Sequence, residues 1–143
     1  ISAGLEANWI LKYSVDAYQK GGQTLAAAFD CVGQFNITNT CRAMPELKAK
    51  AFLNYVTDKH NFYGAINHIA AYDDEQTSTE ITAHTTIDAN YTYSFTDKVS
   101  MTFSVYNLTD EQPPFAFFDM SYDPNTHSPL GRNVKIGFTY FME

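Results

Sequence analysis

Three groups of residues in this chain have side chains able to bind or react, and each also has a plainer use. Phe115, Phe117, Phe118 and Tyr122 interleave with Asp119 and Asp123 in one stretch. Aromatic faces stack on a sugar ring or a chelate with few degrees of freedom to order. Carboxylates beside them suit a neutral, cationic or metal-bearing small molecule better than an anion. The same rings equally serve to pack a loop on its neighbours, and that reading stands somewhat ahead. Asp73, Asp74, Glu75 and Glu80, flanked by His68 and His84, could gather around a cation. They lack the ordered ligand spacing of a calcium loop, so a solvated hairpin loop is the expectation. Cys31 and Cys41 have nine residues between them. In an oxidising compartment they are expected to form a local disulfide worth on the order of 2 to 3 kcal/mol. No CxxC spacing or histidine cluster points instead to a metal or redox pair.

The remaining candidates are weaker. His60 and His127 are isolated in sequence and expected to be exposed. Arg132 could pair with loop acids or lipopolysaccharide phosphates, or snorkel at an interface. The sequons at Asn36, Asn90 and Asn107 read as accidents. No GxSxG, HExxH, Walker-type or Rossmann-type motif is present. The expectation is therefore no catalytic residue, no metal centre, no cofactor and no enzymatic activity. With a net charge of -7 and no basic stretch, nucleic acid is not an expected partner.

These residues must be carried by strands. Val134, Ile136, Phe138, Tyr140 and Met142 alternate with Asn133, Lys135, Gly137 and Thr139, the two-residue period of a strand with one apolar and one polar face. The period recurs in Leu5 to Ala17, Leu47 to Tyr55, Ile87 to Phe95 and Val99 to Val105. Phe62 to Tyr72 is strand-like but ambiguous in phase, since Ile66 and Ile69 fall on opposite faces. About six strands follow, of the roughly 9 to 11 residues that cross a bilayer when tilted. No apolar run reaches the roughly 18 residues of a transmembrane helix, and Ile1 to Trp9 has no signal-peptide pattern. A chain starting partway through a longer protein is expected.

Connection lengths alternate as well. Short turns at Thr57 to Asn61 and Thr96 to Lys98 separate long polar stretches at Gln19 to Pro45, Asp73 to Glu80 and Asn107 to Arg132. Outer-membrane barrels have short turns at one end and long loops at the other. Keeping apolar faces together across the Thr96 to Lys98 turn pairs Phe95 with Val99 and Tyr93 with Met101. The expected fold is all-β, an antiparallel up-and-down meander. As an isolated chain it is an open curved sheet, the C-terminal part of a transmembrane barrel.

The stretch TTIDANYTYSFTDKVSMTFSVYNLTDEQPPF, followed by YDPNTHSPLGRNVKIGFTY, resembles the end of a TonB-dependent outer-membrane receptor. Its features are an aspartate-led strand, an NLTD-type motif with two prolines, a long loop and a GR-led closing strand. DCVGQFNITNTCRAMPELKAKAFLNY resembles a cysteine-bearing outer loop and the strand after it in such receptors. In the terminal run Lys135, Gly137, Tyr140 and Met142 resemble a barrel-assembly signal, although the chain ends in Glu143 where that class ends on an aromatic. The resemblance implies that residues 1–143 are the C-terminal part of a barrel of about 22 strands, located in the bacterial outer membrane, with the plug domain absent. It implies active uptake of a scarce ligand such as a siderophore, cobalamin, haem or oligosaccharide. The implied partners are outer-membrane lipid, the rest of the barrel and its plug, the TonB complex through the missing N-terminal part, and the small-molecule ligand. The alternative is a soluble lipocalin-like carrier, which matches the length but requires a polar outer face. A small complete barrel needs at least eight strands.

Overall fold

The computed structural model describes residues 1–36 and 42–142. Among them are fourteen strands and no helix. In chain order these are β1 (Ser2–Trp9), β2 (Ser14–Val15), β3 (Tyr18–Lys20), β4 (Gln23–Ala26), β5 (Phe29–Asp30), β6 (Gln34–Asn36) and β7 (Arg42–Met44). They continue as β8 (Leu47–Val56), β9 (His60–Ile69), β10 (Tyr72–Asp74), β11 (Thr79–Ile81), β12 (His84–Thr96), β13 (Val99–Tyr106) and β14 (Asn133–Tyr140). The six long strands form one antiparallel sheet in the order β1-β8-β9-β12-β13-β14. Because β1 and β14 do not pair, the sheet is open, as the meander reading expects.

Register follows the hydrophobic pattern. Leu5 lies opposite Ala51, Ala51 opposite Ile66, Ile66 opposite Ile87, Tyr91 opposite Phe103 and Phe103 opposite Ile136. One face is therefore apolar across all six strands. It stays uncovered: Leu5, Leu53, Ile66, Phe103, Ile136 and Phe138 are all exposed. The other face carries Glu6, Lys50, Asn67, Asp88, Thr102 and Lys135. The ambiguous phase of β9 resolves here, with Phe62 and Ile66 on the apolar face and Asn67 and Ile69 on the polar one. Phe52 is an apolar residue on the polar face, where it stacks on Tyr63 with ring centroids 6.0 Å apart. Gly4 opposite leaves space for that ring, since a Cβ there would lie 2.5 Å from it.

Several expectations need correction. The first strand ends at Trp9, not Ala17. Its partner β8 starts at Leu47, just after Pro45, which has no N–H to continue a ladder. The last bond of that run is Ile10 N–H to Glu46 O, 2.9 Å. Tyr93 pairs with Met101 as expected, but Phe95 is bulged and Thr96 pairs with Val99. Thr96 Oγ1 accepts from the amides of Lys98 and Val99, which shortens the turn and ejects Phe95 from the ladder. Met142 lies beyond the end of β14.

The long connections at one end are not simple loops. They hold β2–β5 and β3–β4 ladders and a four-stranded sheet in the order β11-β10-β6-β7. Within it β10 runs parallel to β6, the one departure from antiparallel pairing among the described residues. Phe35, Tyr72, Ile81 and Ala116 form its buried core, packed by Ala43, Ile69 and Phe118. The principal core thus sits at the rim of the large sheet, not on its faces.

Candidate functional site

The polar face is partly covered at its rim end. The chain from Asn107 to Arg132 folds back over it, leaving a cavity of about 440 Å³ against β9, β12, β13 and β14. Asn67, His84, Thr86, Asp88 and Tyr106 line it from the sheet, and Thr126, His127, Ser128, Leu130 and Gly131 from the loop.

A set of motif residues holds the loop in place. Asp88 Oδ1 accepts from the Asn107 amide (3.0 Å) and Asp88 Oδ2 accepts from Asn67 Nδ2 (2.9 Å). Asn107, with φ 51°, closes a ring with Glu111: its Nδ2 donates to Glu111 O and its Oδ1 accepts from Glu111 N, both 2.9 Å. An asparagine tolerates that left-handed backbone better than most side chains. Asp110 Oδ1 then accepts from the Arg132 amide at 2.6 Å. Gly131 leaves room for this carboxylate, since a Cβ there would fall 2.5 Å from Asp110 Oδ1. The aspartate-led strand, the NLTD motif and the GR pair, separated in sequence, are therefore one clasp at the base of the loop.

Above the clasp runs a buried relay. Tyr72 Oη donates to Asp123 Oδ2 at 2.7 Å and lies 3.0 Å from His127 Nε2. His127 Nδ1 lies 3.2 Å from His84 Nδ1, with the two rings edge to face at 5.0 Å. Burial and the neighbouring His84 hold His127 down at about 4, so it is neutral at neutral pH. Burial and the bond to Asp123 raise the Tyr72 hydroxyl well above its ordinary value. The proton positions follow. Tyr72 gives its hydrogen to Asp123, so its oxygen accepts from His127 Nε2–H, which leaves His127 Nδ1 bare to accept from His84 Nδ1–H. With that hydrogen on Nδ1, Nε2 is the acceptor nitrogen of the His84 ring. That nitrogen is buried and has no hydrogen-bond partner among the described residues.

The sequence-predicted ligand residues divide. Phe115 and Phe117 are exposed, and Asp119 and Tyr122 lie at or near the surface. Phe118 instead packs edge-on against Phe35 with centroids 6.2 Å apart. Asp123 is fully buried in the relay. Both belong to the support of the loop. His127, expected exposed, is 5% exposed. Of the acidic loop, Asp74 is buried, its two oxygens accepting from the Gln76 and Phe117 amides, while Asp73, Glu75 and Glu80 remain at the surface. Among the described residues no group of three or more metal-ligating side chains converges. Cys31 is buried and is not a free thiol. Its expected pairing with Cys41 lies outside the described residues. His84 and His127 were missed as a pair because 43 residues separate them. Lone apolar residues inside polar loops, such as Phe35 and Ile81, were the available signal that those loops bury a core.

Comparison with protein-family models, with curated proteins and with solved structures finds no match.

Proposed function

We propose that this chain is a wall segment of an outer-membrane β-barrel of the TonB-dependent receptor class, taking part in active uptake of a small ligand. The observation that carries the reading is the apolar face, continuous and uncovered across six strands whose opposite face bears charges. A soluble sheet exposing such a face would associate or aggregate, whereas lipid covers it without further structure. Aromatic side chains collect on this face near the short turns: Phe62 packs on Tyr91 at 4.7 Å and Tyr93 on Phe95 at 4.8 Å. His60 Nδ1 lies 2.8 Å from Tyr91 Oη. At the opposite end Trp9 Nε1 donates to Glu46 Oε1 at 2.7 Å. Two aromatic positions separated by an aliphatic band suit the two interfaces of a bilayer. On this reading the polar face looks into the lumen, the rim strands lie outside the cell, and Lys135, Gly137, Tyr140 and Met142 belong to the assembly signal. The unpaired edges of β1 and β14 are then the joins to the rest of the barrel.

Adjacent residues of β14 test it. Ile136→Arg in the full-length protein is expected to cost roughly 2 to 4 kcal/mol, whereas Lys135→Glu keeps a charge on the inner face and is expected to assemble normally. Heat-modifiable mobility on gels reads assembly. Normal assembly of Ile136→Arg would remove the membrane reading and favour a soluble carrier.

A further inference from the structure

We propose that the cavity between the 107–132 connection and the polar face is a binding site for an uncharged, hydroxyl-rich small molecule of the saccharide class, with His84 as a fixed hydrogen-bond acceptor. It rests on the barrel reading only in calling this face the lumen.

Two independent observations lead here. The cavity is of the size that small-molecule sites occupy, and its walls are mostly apolar surface into which several polar groups are set. Separately, His84 lines it, is 8% exposed, and its Nε2 has no partner among the described residues. A buried polar atom without a bond costs about 1 to 3 kcal/mol, so an orphan at the edge of a cavity marks where a ligand group can be received. The relay through His127, Tyr72 and Asp123 orients the His84 ring and keeps Nδ1 as its donor, leaving Nε2 to accept. An acceptor of this kind wants an O–H or N–H donor.

The rest of the lining chooses the class. Among the described residues neither lysine nor arginine lines the cavity and Asp88 is its only carboxylate, so an anion would meet no compensating charge there. Thr86, Tyr106, Ser128 and Asn133 offer hydroxyls and an amide that donate and accept. Ile69, Leu130 and the Tyr106 ring supply the apolar surface that a sugar face covers.

The test uses the full-length protein in detergent and neutral trisaccharides as probes: maltotriose, cellotriose and xylotriose, by titration calorimetry. At least one is expected to bind with a Kd below about 1 mM. His84→Leu is expected to weaken that binding about tenfold or more. Ser128→Trp, at an exposed loop position outside the relay, fills the cavity and is expected to do the same. Gel mobility reports whether each variant assembles, which keeps failure of the barrel reading distinct from failure of the site. Should His84→Leu not assemble, Ser128→Trp decides. Absence of binding by all three probes, unchanged affinity in an assembled Ser128→Trp protein, or preference for a sulfated trisaccharide over its neutral form would each overturn the proposal.

Discussion

Asp110 and Gly131 illustrate how one side chain can define another's identity. The carboxylate of Asp110 occupies the space a Cβ of residue 131 would need, and it is held there by the Arg132 amide. Gly131→Ala is therefore expected to displace the carboxylate and destabilise the fold by about 1 to 3 kcal/mol, read as a lowered denaturation midpoint. Adding Asp110→Ala removes the clash, so the double variant is expected to lose less than the sum of the two single changes. Equal additivity would show that the two residues do not meet. His127 gives a pH dependence of definite sign. Its folded-state value is about 4, while in the unfolded chain it titrates near its ordinary value of about 6.5. Between these values the unfolded state binds more protons, so stability is full above about pH 6.5 and falls as pH drops towards about 4. The loss reaches up to roughly 3 kcal/mol and levels off below that point. His127→Gln is expected to remove this dependence in acid denaturation curves measured from pH 7 to 4.

The long strands were legible in the sequence and the short ones were not, for a physical reason. Leu47 to Tyr55, Ile87 to Phe95 and Val134 to Tyr140 run long enough, and face environments different enough, for a two-residue period to emerge. The strands β6, β7, β10 and β11 have three residues each, too few to show a period. Their pairing is fixed by distant contacts such as Asp73 opposite Gln34. The clasp was half legible: the motif residues Asp88, Asn107, Asp110 and Gly131 stood out, but their joint role needed coordinates. The relay was illegible because each of its bonds spans more than forty residues. The rim sheet and the loop are tied in part through Asp74, which is 1% exposed and accepts from the Phe117 amide at 2.8 Å. Asp74→Ala is expected to remove the acceptor of the Phe117 amide and loosen the 107–132 connection before the large sheet. Amide hydrogen exchange at Phe117 should rise well ahead of exchange in β12 and β13. Parallel acceleration in all three would mean that the rim and the large sheet unfold as one unit.

At the scale of the whole molecule, a sheet with one side charged and the other apolar is stable only where two different media meet it. If the sheet is part of a barrel, its apolar face touches lipid. Nitroxide labels placed one at a time at Met101, Thr102, Phe103, Val134, Lys135 and Ile136 of the full-length protein in bilayers measure this most directly. Accessibility to oxygen, which concentrates in the hydrocarbon, is expected to be high at Met101, Phe103, Val134 and Ile136. Accessibility to a water-soluble nickel chelate is expected to be high at Lys135 and above its neighbours at Thr102. A period of two, opposite in phase for the two quenchers, is the predicted result. Uniform access of the nickel chelate to both faces would contradict the membrane assignment and with it the proposed function.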